Sequence, residues 1–242
     1  MKKILVLLML ISFANAKDVR SVFSYKAGNL NGASYVEYDS NFVYKGFSKL
    51  NLGFGYYLED HSSWSLNIKT PSIIYVMDDS YLTYAVGMGQ YSNGSQLNQT
   101  YYEYTYETKS LLYGVNLKNS QYPNSFSTRL VSVYGRVYLD KYSYYGAYFN
   151  GLDSADNMTN SVLLKMYLPV QEKTEGFFGG SVGSEFSEIA LNTYLEKRYT
   201  ALFCGVQYTF SEDAKIKLIL DNTYYDDQYT NITFTTLVDI KF

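Results

Sequence analysis

The chain has 242 residues, with Lys+Arg 20 against Asp+Glu 23, a formal net charge of -3, and an aromatic share of 18% in which Tyr 29 dominates. The slight acidic balance excludes the basic surface that nucleic-acid binding needs, so no nucleic acid is expected as a partner. Cys 1 excludes an intrachain disulfide framework, and Pro 3 leaves long hydrogen-bonded strands open.

In chain order, residues 1–16 read as a secretory signal peptide. Lys2 and Lys3 give a positive start, Ile4 to Phe13 an apolar run, and Ala14-Asn15-Ala16 a small-residue cleavage site. The run is about ten residues, too short to span a bilayer as a helix. Cleavage after Ala16 leaves 242 − 16 = 226 residues and a charge of (20 − 2) − 23 = −5, with no Cys at the new terminus to carry a lipid.

From there side chains alternate with period two. Leu50, Leu52, Phe54, Tyr56 and Leu58 oppose Lys49, Asn51, Gly53, Gly55 and Tyr57. Trp64, Leu66 and Ile68 oppose Ser63, Ser65, Asn67 and Lys69, and Leu82, Tyr84, Val86 and Met88 oppose Thr83, Ala85, Gly87 and Gly89. Val131, Val133, Val137 and Leu139 oppose Ser132, Tyr134, Arg136 and Tyr138. The pattern repeats at Val162 to Leu168, at Ala214 to Leu220, and finally at Phe234, Val238, Ile240 and Phe242. Such alternation separates an apolar environment from water.

A soluble β-sandwich would put the apolar set inside. An outer-membrane barrel would put it against lipid, with aromatic rings in girdles at the headgroups. The export signal, the tyrosine content and the strand ending on Phe242 favour the barrel: all-β, one antiparallel transmembrane domain over residues 17–242. Tight turns at Lys45-Gly46-Phe47-Ser48, Asp78-Asp79, Thr108-Lys109, Asp140-Lys141, Gln171-Glu172-Lys173 and Ser211-Glu212-Asp213 alternate with stretches read as longer external loops. Those are 29–32, 59–62, 91–98, 119–125, 152–157, 186–196 and 225–229. This bookkeeping predicts about 14 strands with both termini periplasmic. Pro71 interrupts one strand and the segment 18–27 is weak, so 12 is the alternative.

The stretch from Leu130 to Glu185 adds a resemblance. It carries VYGRVYLDKY with a glycine in mid-strand, the returning YSYYGAYFNGLD, then KMYLP and the glycine-rich GFFGGSVGSE. These segments resemble the YaiO-type outer-membrane β-barrel family over about a quarter of the chain. The resemblance implies a barrel standing alone or attached to envelope-polysaccharide components. It supplies no catalytic residues, and no cofactor or metal is expected.

Several candidate groups remain. Phe234, Val238, Ile240 and Phe242 form the kind of last strand that the barrel-assembly machinery docks through its unpaired edge. Facing the lumen, Glu37, Asp39, Arg136, Lys215 and Lys217 are expected to line a solute path, alongside Lys69, Glu103, Glu107, Lys165, Asp221 and Asp239. Their nearly balanced signs argue against strong ion selectivity, and the same charges could instead pair and plug the bore. His61 and Ser63 form an H-x-S pair that a lipid hydrolase could use, although Ser63 is expected on the lumen face and the surrounding residues read as a polar loop. Acidic loops could touch lipopolysaccharide through cations, or act as a binding surface. The function expected is non-enzymatic: a narrow passive channel or an accessory envelope component, surrounded by outer-membrane lipids and lipopolysaccharide.

Overall fold

The computed structural model describes residues 18–30, 33–45, 47–139, 142–190, 193–226 and 230–241. The export signal and Phe242 therefore lie outside the described residues, as do Gly46 and the Asp140-Lys141 turn. The rest forms a closed antiparallel barrel of fourteen strands in which every strand pairs with its sequence neighbours and the first with the last. In order these are β1 (Val19–Leu30), β2 (Ala33–Tyr44), β3 (Leu50–His61), β4 (Ser65–Val76), β5 (Ser80–Tyr91), β6 (Gln96–Glu107) and β7 (Leu111–Gln121). They continue as β8 (Ser127–Leu139), β9 (Tyr142–Asp153), β10 (Met158–Gln171), β11 (Thr174–Ala190), β12 (Thr193–Ser211), β13 (Ala214–Tyr225) and β14 (Thr230–Lys241).

A tilted strand needs about 9–11 residues to cross a bilayer's apolar layer, and every strand here has at least 11. The segment 18–27, weak in sequence, lies in β1 from Val19 onward, which excludes twelve strands. Pro71 does not end β4. Its β3 partner is kept (Phe54↔Pro71), while the ladder to β5 skips from Lys69↔Met88 to Ser72↔Ala85. Proline has no N–H to donate, so pairing lapses at that position and resumes beyond it.

The outer face is apolar, with Leu52, Phe54, Ile73, Leu82, Val133 and Leu164 all exposed. Exposed rings at Tyr44, Tyr75, Tyr113, Tyr142 and Phe210 lie near the strand ends at the rim where β1 begins and β14 ends, here the near rim. Tyr148 and Tyr224 are exposed farther along their strands, toward the far rim. Cys204 is exposed on the same outer face. Phe234, Val238 and Ile240 also point outward, on a strand fully paired with β1 from Arg20↔Lys241 to Leu30↔Asn231.

Two expectations are corrected. The stretches read as long loops are mostly strand. Among the described residues, the complete far-rim connections span 62–64, 92–95, 122–126 (with one 3-10 turn) and 154–157. At 186–196 the β11–β12 ladder continues through Phe186↔Glu196 to Ala190↔Thr193. Polar, Asn- and Ser-rich strand ends resemble loops in composition, yet their backbone groups remain in the ladder. Among the described residues the far-rim connections are only slightly longer than the near-rim ones. The clearer difference is strand length, because the 17- and 19-residue strands β11 and β12 outrun the 14-residue β10 and the 12-residue β13 beside them.

The second correction concerns β4. The register Glu59↔Leu66 and Tyr57↔Ile68 places Leu66 and Ile68 beside lumen residues, so Trp64, Leu66 and Ile68 face inward and Lys69, opposite Tyr56, faces outward. Alternation identifies which residues share a face. It does not say which face is inside when part of the bore is itself apolar.

At the seam Asp239 of β14, 7% exposed, accepts two hydrogen bonds from Arg20 of β1 (Nε to Oδ1 3.0 Å, Nη2 to Oδ2 2.8 Å). Lys215 Nζ of β13 stands 3.2 Å from Oδ2. Arg20 is half exposed, which moderates the gain. Asp239→Asn should lower the unfolding free energy by about 1–2 kcal/mol, read as an earlier denaturant midpoint. Asp213→Asn, at the exposed 3.4 Å pair with Lys241, should leave it unchanged.

Candidate functional site: a polarised lumen

Inward positions are set by strand parity: odd residues on β2, β3, β5 and β6, even ones on β7 and β8, and odd ones again from β9 to β14. All five expected lining residues point inward, but the fold separates them into two groups with different surroundings.

Toward the far rim the lumen opens into a cavity of about 780 Å³. One wall is a buried apolar cluster of Trp64, Leu66, Ile68, Tyr91 and Leu97, with Tyr57 and Tyr122 against it. Trp64 stacks on His61 at 4.1 Å between ring centres, and His61 stacks on Tyr35 at 5.1 Å. The facing wall is polar and mostly self-paired. Lys26 Nζ donates to Glu37 Oε1 at 2.8 Å, and Asn41 Nδ2 lies 3.1 Å from both oxygens of Asp39. Tyr57 donates to Glu59 at 2.9 Å, and Glu59 meets His61 Nε2 at 2.6 Å.

His61 is therefore a strand residue bound to a carboxylate inside the bore. Ser63 sits exposed in the β3–β4 bend, and among the described residues no hydrogen bond joins it to His61. The H-x-S spacing does not produce a nucleophile–base pair: β3 ends at His61, and Ser63 no longer follows the strand's alternation.

Toward the near rim the lining is aromatic and basic. The Arg136 guanidinium lies 3.9 Å from the Tyr167 ring centre and 4.8 Å from that of Tyr138, and it donates to Ser143 Oγ at 2.8 and 2.6 Å. Lys165 Nζ lies 4.6 Å from the Phe177 centre and 5.0 Å from Phe203. Lys217 Nζ lies 4.6 Å from Phe177 and 5.5 Å from Tyr167. Lys215 instead pairs with Asp239. On the β6 side Glu103 accepts a 2.6 Å hydrogen bond from Tyr134, whose hydroxyl also meets Thr105 at 2.7 Å.

The rings lie flat because glycines face them across the ladder. Phe177 pairs with Gly205 and Gly179 with Phe203, and a Cβ on either glycine would overlap the opposing ring. Gly28 with Tyr35 and Gly114 with Tyr134 repeat the arrangement. Aromatic cover of a strand glycine restores packing that the missing side chain gives up.

The apolar cluster at Trp64 and the ring platform at Tyr167, Phe177 and Phe203 were missed in the sequence. For the platform the available signal was the run of glycines beside phenylalanines in β11.

No family model matches the chain, and no curated protein matches it. Solved structures do. The CymD monoaromatic hydrocarbon channel aligns at TM-score 0.63 and 11% identity, covering 93% of this chain and 89% of that one. The toluene transporter TbuX of Ralstonia pickettii aligns at TM-score 0.63 and 10% identity, covering 95% and 90%. A bacterial polysaccharide outer membrane secretin aligns at TM-score 0.61 and 10% identity, covering 93% and 98%. At such identities the likeness is one of fold. The YaiO-type resemblance finds no matching family model, and what holds of it is the barrel itself.

Trp 1 in the chain makes the inward assignment of Trp64 directly readable. In vesicles of lipid brominated along its acyl chains, Trp64 fluorescence should stay unquenched, because quenching needs contact with the chains. Strong quenching would mean that the residue faces lipid. The chain thus has the fold of the outer-membrane β-barrels.

Proposed function

We propose that the chain is an outer-membrane protein that lets small solutes cross passively through its bore. Residues 1–16 direct export and are removed, the near rim faces the periplasm, and the long β11–β12 hairpin lies outside. The reading is supported most by one observation: a closed barrel with an apolar exterior whose inner wall is charged and encloses a cavity of about 780 Å³. A core meant only to be filled would close such a volume.

Two similar barrels are named for the passage of monoaromatic hydrocarbons and of toluene, which supports passage as the shared use of this fold. The secretin's name keeps a polysaccharide-linked accessory role as the second reading. The described connections at both rims are short and give a loop-based binding surface little to work with. The position of His61, held by Glu59 inside the lumen, gives a lipid hydrolase no access to acyl chains.

Purified protein in a planar bilayer should give discrete conductance steps. Trp64→Ala should enlarge each step, because the indole occupies the bore beside the cavity. A silent wild type, and a Trp64→Ala variant equally silent, would favour the accessory role.

A further inference from the structure

The charges that balance along the sequence do not balance in space. Asp239 is taken by Arg20 and Lys215, Glu37 by Lys26, Glu59 by His61 and Tyr57, and Glu103 by Tyr134. Hydrogen bonds from neutral groups leave a carboxylate its charge, so the excess is a local one, and at the ring platform it is positive. Arg136, Lys165 and Lys217 converge on Tyr167 and Phe177, and none of the three forms a salt bridge among the described residues. Glu175, which keeps its charge under a 3.2 Å hydrogen bond from Gln207 Nε2, acts on Lys217 and offsets only part of the three cations' charge.

Three like charges gathered in a half-buried wall repel one another and attract a counter-ion into the space they share. Ring faces offset only part of the charge, since a cation over a ring keeps its formal charge and its free N–H donors. Among the described residues neither Lys165 nor Lys217 donates a hydrogen bond or forms an ion pair, so their N–H donors are available to a solute. Phe203 and Tyr145 add flat apolar surface next to those donors, Phe203 5.0 Å from Lys165 and Tyr145 paired across the ladder with Arg136.

We infer that Arg136, Lys165 and Lys217 form an anion-binding station in the bore, suited to small organic carboxylates that carry a flat ring. The carboxylate oxygens accept from the two ammonium groups and from the guanidinium N–H groups not used by Ser143. The ring of the solute packs on Phe203 and Tyr145. The inference deepens the channel reading and relies on it only for how the anion arrives.

Equilibrium binding to the folded protein in detergent tests the station without any current. Benzoate and benzamide have the same ring and differ in charge, so they serve as the pair of probes in titration calorimetry at low salt. Benzoate should bind at least about tenfold more tightly than benzamide. Lys165→Gln with Lys217→Gln should bring benzoate down to the level of benzamide. Lys165→Arg with Lys217→Arg, which keeps charge and volume, should preserve the preference and also shows that the fold tolerates change at both positions. In bilayers under a salt gradient, the wild-type reversal potential should show anion preference that the double Gln variant loses. Equal binding of the two probes, no binding of benzoate, or a benzoate affinity untouched by the double Gln change would overturn the station. A silent bilayer with charge-dependent binding intact would remove the channel and leave the station standing.

Discussion

Everything in this molecule depends on the pairing of β1 with β14. In hydrocarbon an unmet backbone N–H or C=O costs several kcal/mol, so a sheet exposed to lipid has to close on itself. Eleven register pairs from Arg20↔Lys241 to Leu30↔Asn231 meet that demand, and the Asp239 carboxylate clamps the same seam from the lumen side. With the edge removed, the side chains of each strand are left with only two destinations, and the rest of the architecture is the sorting of residues between them.

Much of that sorting is legible in a single sequence, because a period of two is hard to imitate by chance over so many segments. Strand number and the outward placement of residues such as Leu82, Val133 and Val238 follow from it. β4 shows the limit. Trp64, Leu66 and Ile68 alternate cleanly, but the bore is greasy at their level, so hydrophobicity points to the wrong side. Only the register with Glu59 and Tyr57 decides the matter, and register is a property of two strands rather than one. The strand ends were illegible for a related reason: asparagine and serine at a wetted rim look like loop residues whether or not their backbones are paired.

The lumen charges illustrate the same point on a longer scale. A near-equal count of acids and bases suggests a bore without preference, and it is correct as a count. Which carboxylate meets which cation, however, is decided by cross-strand neighbours. Lys26 sits opposite Glu37 on the adjoining strand, whereas Lys165 sits opposite Tyr145 and Gly179. The first cation is neutralised locally, and the second meets no acid among the described residues. Segregation into a mixed, cavity-bearing half and a basic, ring-lined half therefore arises from fourteen local pairings, none of which the net charge reports.

The glycines opposite Phe177, Phe203, Tyr35 and Tyr134 set the calibre of the bore. Each lets a ring lie back against the wall instead of standing across the opening. A lineage carrying this fold can therefore widen or narrow its aperture by exchanging one small residue, leaving every charged group and every lipid-facing position as it was. Width and charge of the bore become separately adjustable traits, the first governed by absent side chains and the second by present ones.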